Sequence, residues 1–275
     1  MKLALTIQTP EVPAQVPVTL LTGALEQKLA KAASLGADGV EFVTTEPAAL
    51  NVPDLRALLK QNDLLPAAVA SGGMAFAAKL TLLSADASVA ERARRKLDEL
   101  VDLAAALGAP VVTVGSFRGR AVGTQERSLA ELADVLRRAG KRAASAGVRI
   151  ALEPLNRFEG DLLNTVDQGL DFLKFLDTPA VGLLVDTVHV NIEESSWTGP
   201  YRRAMAAGRL FHVHLGDNNR LPPGQGLIDF AAILAALHAA GYDGWLSAEL
   251  LGRPDPDTAA RQTVEHIKPL MKALA

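Results

Sequence analysis

The chain has 275 residues, 49% of them hydrophobic, so it is long enough to bury a large core in one big domain or two ordinary ones. Its formal net charge is −3 at pH 7 and it contains no run of Lys or Arg, which argues against nucleic acid or an anionic membrane as a partner. The lack of cysteine excludes disulfides and thiolate metal sites and is typical of a reducing compartment.

Short β-rich apolar runs alternate with longer helical stretches along the chain. In order, the pattern predicts strands at Lys2 to Ile7, Gly39 to Phe42, Ala67 to Ala70, Val111 to Val114, Arg149 to Glu153, Gly182 to Asp186, Phe211 to Leu215 and Trp245 to Glu249. Apolar residues at helical spacing predict helices between them, among them Glu91 to Leu107, Glu126 to Ala146, Leu170 to Leu176, Phe230 to Ala240 and Thr258 to Ala273.

These strand–helix units, with no linker rich in Pro, Gly or Ser, predict an α/β protein. We expect a closed (β/α)8 barrel, or TIM barrel, as a single domain over residues 1–275. A doubly wound open sheet is the alternative. It is weakened because the segment QTPEVPAQVP, rather than a Gly-rich GxGxxG turn, follows the first strand.

Charged residues stand at the carboxyl ends of four consecutive predicted strands, where such a barrel carries its functional groups. Strands five, six and eight end in Glu153, Asp186 and Glu249, and strand seven carries His212 and His214 on one face, with His214 nearer the end. Three carboxylates meeting at one mouth would repel each other, and a divalent cation would offset that repulsion. Three carboxylates and an imidazole suit Mn²⁺, Mg²⁺ or Co²⁺ better than a structural zinc site. We predict one divalent metal ion per chain, with Mn²⁺ as the first choice.

Three segments carry a family resemblance: LEPLNRFEGDLLNT (Leu152 to Thr165), VDTVHVNIEE (Val185 to Glu194) and HVHLGDNNRLPPGQGLIDF (His212 to Phe230). They resemble the xylose-isomerase-like TIM barrel family of sugar isomerases and epimerases, and within it the ketose 3-epimerases acting on D-tagatose and D-allulose. The segments MKLAL, GSFRGR and LNRFE are most similar to the branch that includes 5-keto-L-gluconate epimerase. The triplet DNN before Arg220 differs from the GEA or GEC of the tagatose and allulose enzymes, so the sugar preference stays open.

The resemblance implies a metal-dependent ketose 3-epimerase, which inverts C3 of a free ketose or keto-acid sugar through an enediolate. The implied metal ligands are Glu153, Asp186, His214 and Glu249. Of these, Glu153 and Glu249 are also the implied catalytic bases, one removing the C3 proton while the other returns a proton to the opposite face. The implied substrate-binding residues are Glu159, His189 and Arg220. Because Arg220 lies six residues after His214, as in the family, His214 rather than His212 is taken as the ligand.

A few residues outside this set are assigned from their positions along the predicted strands and loops. We expect His212 to be a hydrogen-bonded core residue one layer below the site, while Glu41, at the end of strand two, faces either the pocket or the core. The segment GSFRGR follows strand four, so Arg118 or Arg120 is expected to reach over the barrel mouth and pair with a carboxylate at the far end of an open-chain sugar. The alternative is that both arginines pair with acidic residues on neighbouring loops.

Other activities remain open at this level. An aldose–ketose isomerase resembling hydroxypyruvate isomerase would form the same kind of enediolate, and a sugar-phosphate epimerase would need a phosphate site that the loops GDNNRLPPGQG and LLGRPDPDT do not obviously supply. A nuclease resembling endonuclease IV needs about three metals and many histidines, yet the chain has five histidines. A non-catalytic sugar-binding protein would not require two opposed glutamates.

The expected setting and partners follow from the same features. We expect a small-molecule ketose as substrate, no nucleic acid and no membrane, and a homo-oligomer, either a dimer or a tetramer. The N-terminal apolar patch is too short for a signal peptide, and no segment is an uninterrupted apolar run of about eighteen residues. We therefore expect a cytoplasmic protein.

Overall fold

The computed structural model describes residues 1–274 and contains a ring of parallel strands. Neighbours in the ring follow chain order and the last strand pairs with the first, so the barrel is closed. The strands are β1 Lys2–Gln8, β2 Gly39–Val43, β3 Leu65–Ala70, β4 Val111–Val114, β5 Arg149–Leu152, β6 Val181–Asp186, β7 Leu210–Leu215 and β8 Trp245–Ala248. The predicted TIM barrel is confirmed, and the open doubly wound sheet is excluded because β1 and β8 pair.

Helices surround this ring. They are α1 Leu25–Leu35, α2 Val52–Gln61, α3 Gly72–Phe76, α4 Ala87–Leu107, α5 Gln125–Ser145, α6 Val166–Leu176, α7 Thr187–Glu193, α8 Gly199–Ala206, α9 Phe230–Ala239 and α10 Pro256–Lys272. Short 3₁₀ turns at Pro47–Ala49 and Ser116–Arg118 follow β2 and β4. Over residues 1–274, none of the helices combines the length and the apolar character needed to cross a membrane.

Side-chain caps fix where several helices begin. The helix α4 starts at Ala87, ahead of the predicted Glu91, because the Asp86 carboxylate accepts hydrogen bonds from the main-chain N–H groups of Ser88 and Val89. The helix α6 starts at Val166 rather than Leu170, because Thr165 and Gln168 form a reciprocal capping box. Both caps lie outside the apolar repeat from which the helices were predicted, so the predicted helices begin too late in the chain.

Buried apolar residues form a main core that packs the helices against the strands. A smaller cluster comes from the strands alone, and its members are Ala68, Val111, Ala151, Leu184 and Phe211. Above it lies a polar layer in which Glu41, His212 and Ser247 have no solvent exposure. The barrel interior is therefore filled with side chains, and open space begins only at the carboxyl ends of the strands.

Strands β5 and β8 each end one residue earlier than predicted, at Leu152 and Ala248. The next residues nevertheless continue the ladder, since Glu153 N donates to Val114 O at 3.0 Å and Glu249 N donates to Leu215 O at 3.2 Å. Both glutamates are thereby held by main-chain hydrogen bonds at the mouth of the barrel.

Candidate metal centre and active site

Four side chains converge at the mouth, one from the end of each of the last four strands. Glu153, Asp186, His214 and Glu249 each offer a ligand atom, and these atoms all lie within 4.8 Å of one another. The structure thus brings together the predicted metal ligands, because parallel strands deliver their carboxyl ends to one rim.

Three of these atoms are buried without any hydrogen-bond partner: Glu153 Oε1, Asp186 Oδ2 and His214 Nδ1. Leaving a buried polar atom unpaired costs about 1–3 kcal/mol, and more for a charged group. A divalent cation among them would satisfy all three, and oxygen ligands with one imidazole suit Mn²⁺, Co²⁺ or Mg²⁺. The residues present therefore fit the expected metal.

In Asp186 and in His214, the other polar atom of the side chain forms a contact away from the cluster. The unpaired atom of each side chain therefore faces the cluster. Asp186 caps α7, and its Oδ1 accepts from Val188 N at 2.6 Å, so that Oδ2 faces the cluster. His214 Nε2 lies 3.1 Å from Glu41 Oε1, which directs Nδ1 to the cluster. A carboxylate bound to the far nitrogen of a ligand histidine fixes its tautomer and its orientation.

Glu41 is fully buried one layer below the cluster, so it faces the core rather than the pocket. Its Oε2 also lies 2.7 Å from Nε2 of His212, which is 3.0 Å from the hydroxyl of Ser247. His212 is therefore the hydrogen-bonded core residue that was expected. These contacts hold the pKa of Glu41 well below its usual range: burial favours the protonated form, but the two histidines outweigh it.

Glu153 needs a glycine beside it. A Cβ on Gly115, directly after β4, would come within 2.2 Å of Glu153 Oε2. Any larger residue would push the carboxylate out of the cluster or shift the loop. The first glycine of GSFRGR is thus explained by the close approach of this side chain.

The two glutamates titrate differently in the metal-free protein. Burial, reinforced by the charge of Glu249, raises the pKa of Glu153 well above its usual range. Burial also opposes ionisation of Glu249, but His214 and Arg220 outweigh it and lower the pKa of Glu249. Two carboxyl groups whose pKa values are driven apart are suited to separate roles as acid and base.

A cavity of about 250 Å³ opens above the cluster. Glu159, His189 and Arg220 line it, as predicted for substrate-binding residues. Arg220 Nη2 donates to Glu159 Oε1 at 2.9 Å, and its Nη1 lies 3.5 Å from Glu249 Oε2. The cavity also has apolar lining residues, which are Pro17 and Val18 from the segment after β1 and Phe76 at the end of α3.

The structure does not bring Arg118 or Arg120 to this cavity. Arg118 has no solvent exposure, and its guanidinium donates to the main-chain carbonyl oxygens of Glu153 and Leu162. Arg120 is exposed and donates to the carbonyl of Phe158 at 3.1 Å. The expectation that one of these arginines reaches over the mouth is therefore wrong, and among the described residues neither arginine forms an ion pair with a nearby acid. Both guanidinium groups instead donate to main-chain carbonyl oxygens of the segment after β5.

Sequence reasoning overlooked Asn156, in the segment LNRFE. Its side chain is buried, and its amide nitrogen lies 2.8 Å from His189 Nδ1 and 2.9 Å from Glu159 Oε1. The available signal was an Asn three residues after a predicted ligand glutamate, in the loop that follows β5.

Comparison with known proteins agrees with this geometry. The sequence profile described as xylose isomerase-like TIM barrel matches residues 29–270. An L-ribulose 3-epimerase from Mesorhizobium japonicum is 37% identical over 238 residues, which cover 82% of this chain and 75% of that enzyme. A ketose 3-epimerase from Arthrobacter globiformis is 33% identical over 217 residues, covering 78% of this chain and 73% of its own length.

Solved structures show the same likeness over nearly the full length. A structure of L-ribulose 3-epimerase matches with a TM-score of 0.82 at 28% identity, covering 98% of this chain and 95% of the other. The D-allulose 3-epimerase from Methylomonas sp., solved in complex with D-allulose, matches with a TM-score of 0.77 at 25% identity, covering 98% of each chain. In sequence and in structure, the chain belongs to the xylose isomerase-like TIM barrel family.

Proposed function

We propose that the protein is a metal-dependent ketose 3-epimerase acting on free, neutral ketoses. The observation that carries this proposal is the convergence of Glu153 Oε1, Asp186 Oδ2 and His214 Nδ1, all buried and unpaired, beneath a cavity of sugar size. Relatives named as L-ribulose 3-epimerase and ketose 3-epimerase support the reaction type.

Glu153, Asp186, His214 and Glu249 would hold the metal, with Mn²⁺ as the first choice and Co²⁺ or Mg²⁺ as alternatives. When bound, such a metal supplies Lewis-acid polarisation of the sugar oxygens next to the reacting carbon. A metal that prefers oxygen ligands is favoured because the site offers three carboxylates and the chain has no cysteine.

Glu153 and Glu249 would carry out the proton transfer. They follow β5 and β8, which lie three strands apart in the ring, so their carboxyl groups approach a bound sugar from different sides. One carboxylate takes the C3 proton while the C–H electron pair forms the C2–C3 double bond and negative charge moves to the oxygen on C2. The other carboxyl group then delivers a proton to the opposite face of C3.

Arg220 and Glu159 orient the sugar. The guanidinium of Arg220 stands between Glu159 and Glu249 and offers hydrogen-bond donors towards the cavity. Burial opposes the charge on Arg220, but the surrounding carboxylates raise its pKa, so it remains a cation. Holding the sugar oxygens in this way aligns the C–H bond with its base.

A neutral sugar is favoured over a keto-acid. Arg220 is the one Lys or Arg among the lining residues of the described cavity, and it already pairs with Glu159. Arg118 is fully buried beneath the loop after β5. Two of the relatives reported above, an L-ribulose 3-epimerase and a D-allulose 3-epimerase, are also named after neutral ketoses.

A phosphorylated sugar is disfavoured by Asp217 in the loop after β7. Its buried carboxylate accepts hydrogen bonds from the main-chain N–H groups of Gly224 at 2.9 Å, Gly226 at 2.8 Å and Ile228 at 3.1 Å. These are the donors that a phosphate in this loop would need. The protein's own carboxylate thus takes the place of the anion.

A chelation experiment tests the proposal. Protein stripped with a chelator should lose epimerisation of D-allulose, D-tagatose and L-ribulose, and added Mn²⁺, Co²⁺ or Mg²⁺ should restore it, with products separated by chromatography. Activity that survives complete metal removal would contradict the proposal. We also expect a dimer or tetramer, which sedimentation analysis would measure.

A further inference from the structure

The orientation of the Asn156 amide is fixed by the main chain around it. Asn156 Oδ1 accepts hydrogen bonds from the N–H of Phe158 at 3.0 Å and from the N–H of Glu159 at 3.2 Å. A main-chain N–H can only donate, so the atom facing these two groups must be the amide oxygen. The NH₂ end of Asn156 therefore points the other way.

The two hydrogens of that NH₂ group each have an acceptor. Asn156 Nδ2 lies 2.9 Å from Glu159 Oε1 and 2.8 Å from His189 Nδ1. Because an amide NH₂ only donates, His189 Nδ1 must accept, and the proton of the neutral imidazole must be on Nε2. Both amide hydrogens are then satisfied, and Asn156 and His189 are buried, where an unpaired polar group would be costly.

The other ring nitrogen faces the reacting end of the cavity. His189 Nε2 lies 3.5 Å from Glu153 Oε1, and His189 is one of the residues lining the cavity. With its proton on Nε2, this edge of the ring presents a donor and no lone pair in the ring plane. It can give a hydrogen bond to a sugar oxygen but cannot take a proton from carbon.

We propose that Asn156 is a positioning residue that holds His189 as the neutral Nε2–H tautomer, so that His189 donates a hydrogen bond to the sugar oxygen that becomes negative when C3 is deprotonated. The second part rests on the proposed function. A fixed donor aimed at developing oxyanion charge lowers the barrier, and removal of one such donor typically costs about 10²- to 10³-fold in kcat.

The tautomer can be measured without any substrate. We would record two-bond ¹H–¹⁵N spectra of the imidazoles in Mg²⁺-loaded protein at pH 7.5 and assign His189 by the signal lost in His189→Gln. The proposal expects a protonated Nε2 and an unprotonated Nδ1. A protonated Nδ1, or a mixture of the two tautomers, would overturn it whether or not the protein epimerises any ketose.

Asn156→Asp is the variant that should reverse the tautomer, because a carboxylate facing Nδ1 can only accept. Asn164→Asp is the matched control. Asn164 lies in the same loop, and its amide donates to the carbonyls of Leu155 at 2.7 Å and Gly160 at 3.1 Å rather than to His189. Asn156→Asp should move the proton to Nδ1, while Asn164→Asp should leave it on Nε2. Reversal in both variants would show that loop distortion, not the Asn156 contact, sets the tautomer.

Kinetics test the second part of the proposal. Asn156→Asp should lower kcat by about 100-fold, with a smaller change in KM. If Asn156 acts through His189, the double variant Asn156→Asp/His189→Gln should be no slower than His189→Gln alone. Losses that multiply would show that Asn156 acts through Glu159, which its amide also contacts, rather than through His189, and would overturn this part. Absence of turnover with every ketose would instead remove the proposed function and leave the tautomer measurement as it stands.

Discussion

At the scale of single residues, the proposed function requires the same side chains to bind metal and to move protons. Glu249 follows β8, and its carboxylate lies 3.4 Å from His214 Nδ1 and 3.5 Å from Arg220 Nη1. A substitution that keeps an oxygen in place but removes the basic group separates the two roles.

Glu249→Gln is that substitution. Because the amide retains a ligand oxygen but accepts no proton, solvent deuterium exchange at C3 should fall by on the order of 100-fold or more while Mn²⁺ still binds. Exchange is followed by NMR and Mn²⁺ binding by calorimetry. Glu265→Gln, at an exposed ion pair with Arg261, is the matched control and should behave as the parent. Parental exchange in Glu249→Gln would rule out the two-glutamate mechanism.

Glu41 contacts the candidate ligand His214 from the layer below the cluster. Glu41→Gln leaves one acceptor oxygen for the two imidazoles of His212 and His214, so one ring loses its partner or turns. The Kd for Mn²⁺, measured by calorimetry, should rise by about 10- to 100-fold. Ser247→Ala removes only the hydroxyl beside His212 and should leave the Kd close to that of the parent. An unchanged Kd in Glu41→Gln would show that Glu41 does not orient His214.

At the scale of elements, the loop after β5 depends on a buried arginine. Arg118 reaches from the 3₁₀ turn after β4 and donates to the carbonyls of Glu153 and Leu162, at the two ends of the segment that carries Asn156 and Glu159. Burial lowers the pKa of Arg118 to about 10, with Glu153 and Asp161 opposing the shift, so the group is still charged at neutral pH. Arg118 therefore stabilises this loop by donating charged hydrogen bonds to both of its ends.

Arg118→Ala should lower the free energy of unfolding by roughly 3 kcal/mol or more, because buried carbonyl oxygens lose charged donors. The loss of kcat/KM should be equal for neutral and acidic ketoses. Arg120→Ala is the exposed counterpart and should stay within about 0.5 kcal/mol of the parent in urea unfolding. A selective loss for keto-acids in Arg118→Ala would restore the interpretation that Arg118 binds a substrate carboxylate.

Whether a feature of the fold could be predicted from the sequence depends on whether it follows from the strand pattern or from contacts between separate loops and layers. The convergence of the candidate ligands at the ends of β5 to β8 was predictable because a closed parallel barrel places all strand ends on one rim. Arg118, Glu41 and Asn156 were not, because their contacts lie between loops or layers that share no sequence repeat. The sequence predicted that Arg118 lies near the mouth of the barrel. It could not show that the guanidinium donates to carbonyl groups after β5 instead of facing the cavity.

At the scale of the whole molecule, the buried carboxyl groups of Glu153 and Asp186, whose pKa values are raised, destabilise the metal-free fold at neutral pH. Burial raises the pKa of Asp186 to about 6, with Glu249 adding to the shift and Arg220 and His214 opposing it, whereas an unfolded Asp titrates near pH 3.9. A folded pKa above the unfolded one gives stability that is complete below about pH 4 and is lost as the pH rises through about 6. Metal binding requires the ionised form, so protons compete with it.

The rise in Tm caused by Mn²⁺ should therefore be larger at pH 7.5 than at pH 5.5. With Mn²⁺ at about 100 times its Kd, the stabilisation is about 2.7 kcal/mol, or roughly 5–10 °C in Tm for a domain of this size. Scanning calorimetry with and without Mn²⁺ at the two pH values measures the difference. An equal shift at both, or a larger one at pH 5.5, would contradict the assignment of Asp186 as a ligand.

The most direct test of the proposed function is to locate the exchanged hydrogen. Mn²⁺-loaded protein is incubated in D₂O with D-allulose, D-tagatose, L-ribulose and 5-keto-gluconate, and after removal of the metal the products are identified by NMR. We predict deuterium at C3 together with the C3 epimer, and faster turnover of the neutral ketoses than of the keto-acid. Deuterium at C1 with an aldose as product would indicate an aldose–ketose isomerase, and no exchange with any of these sugars would contradict the assignment as a ketose 3-epimerase.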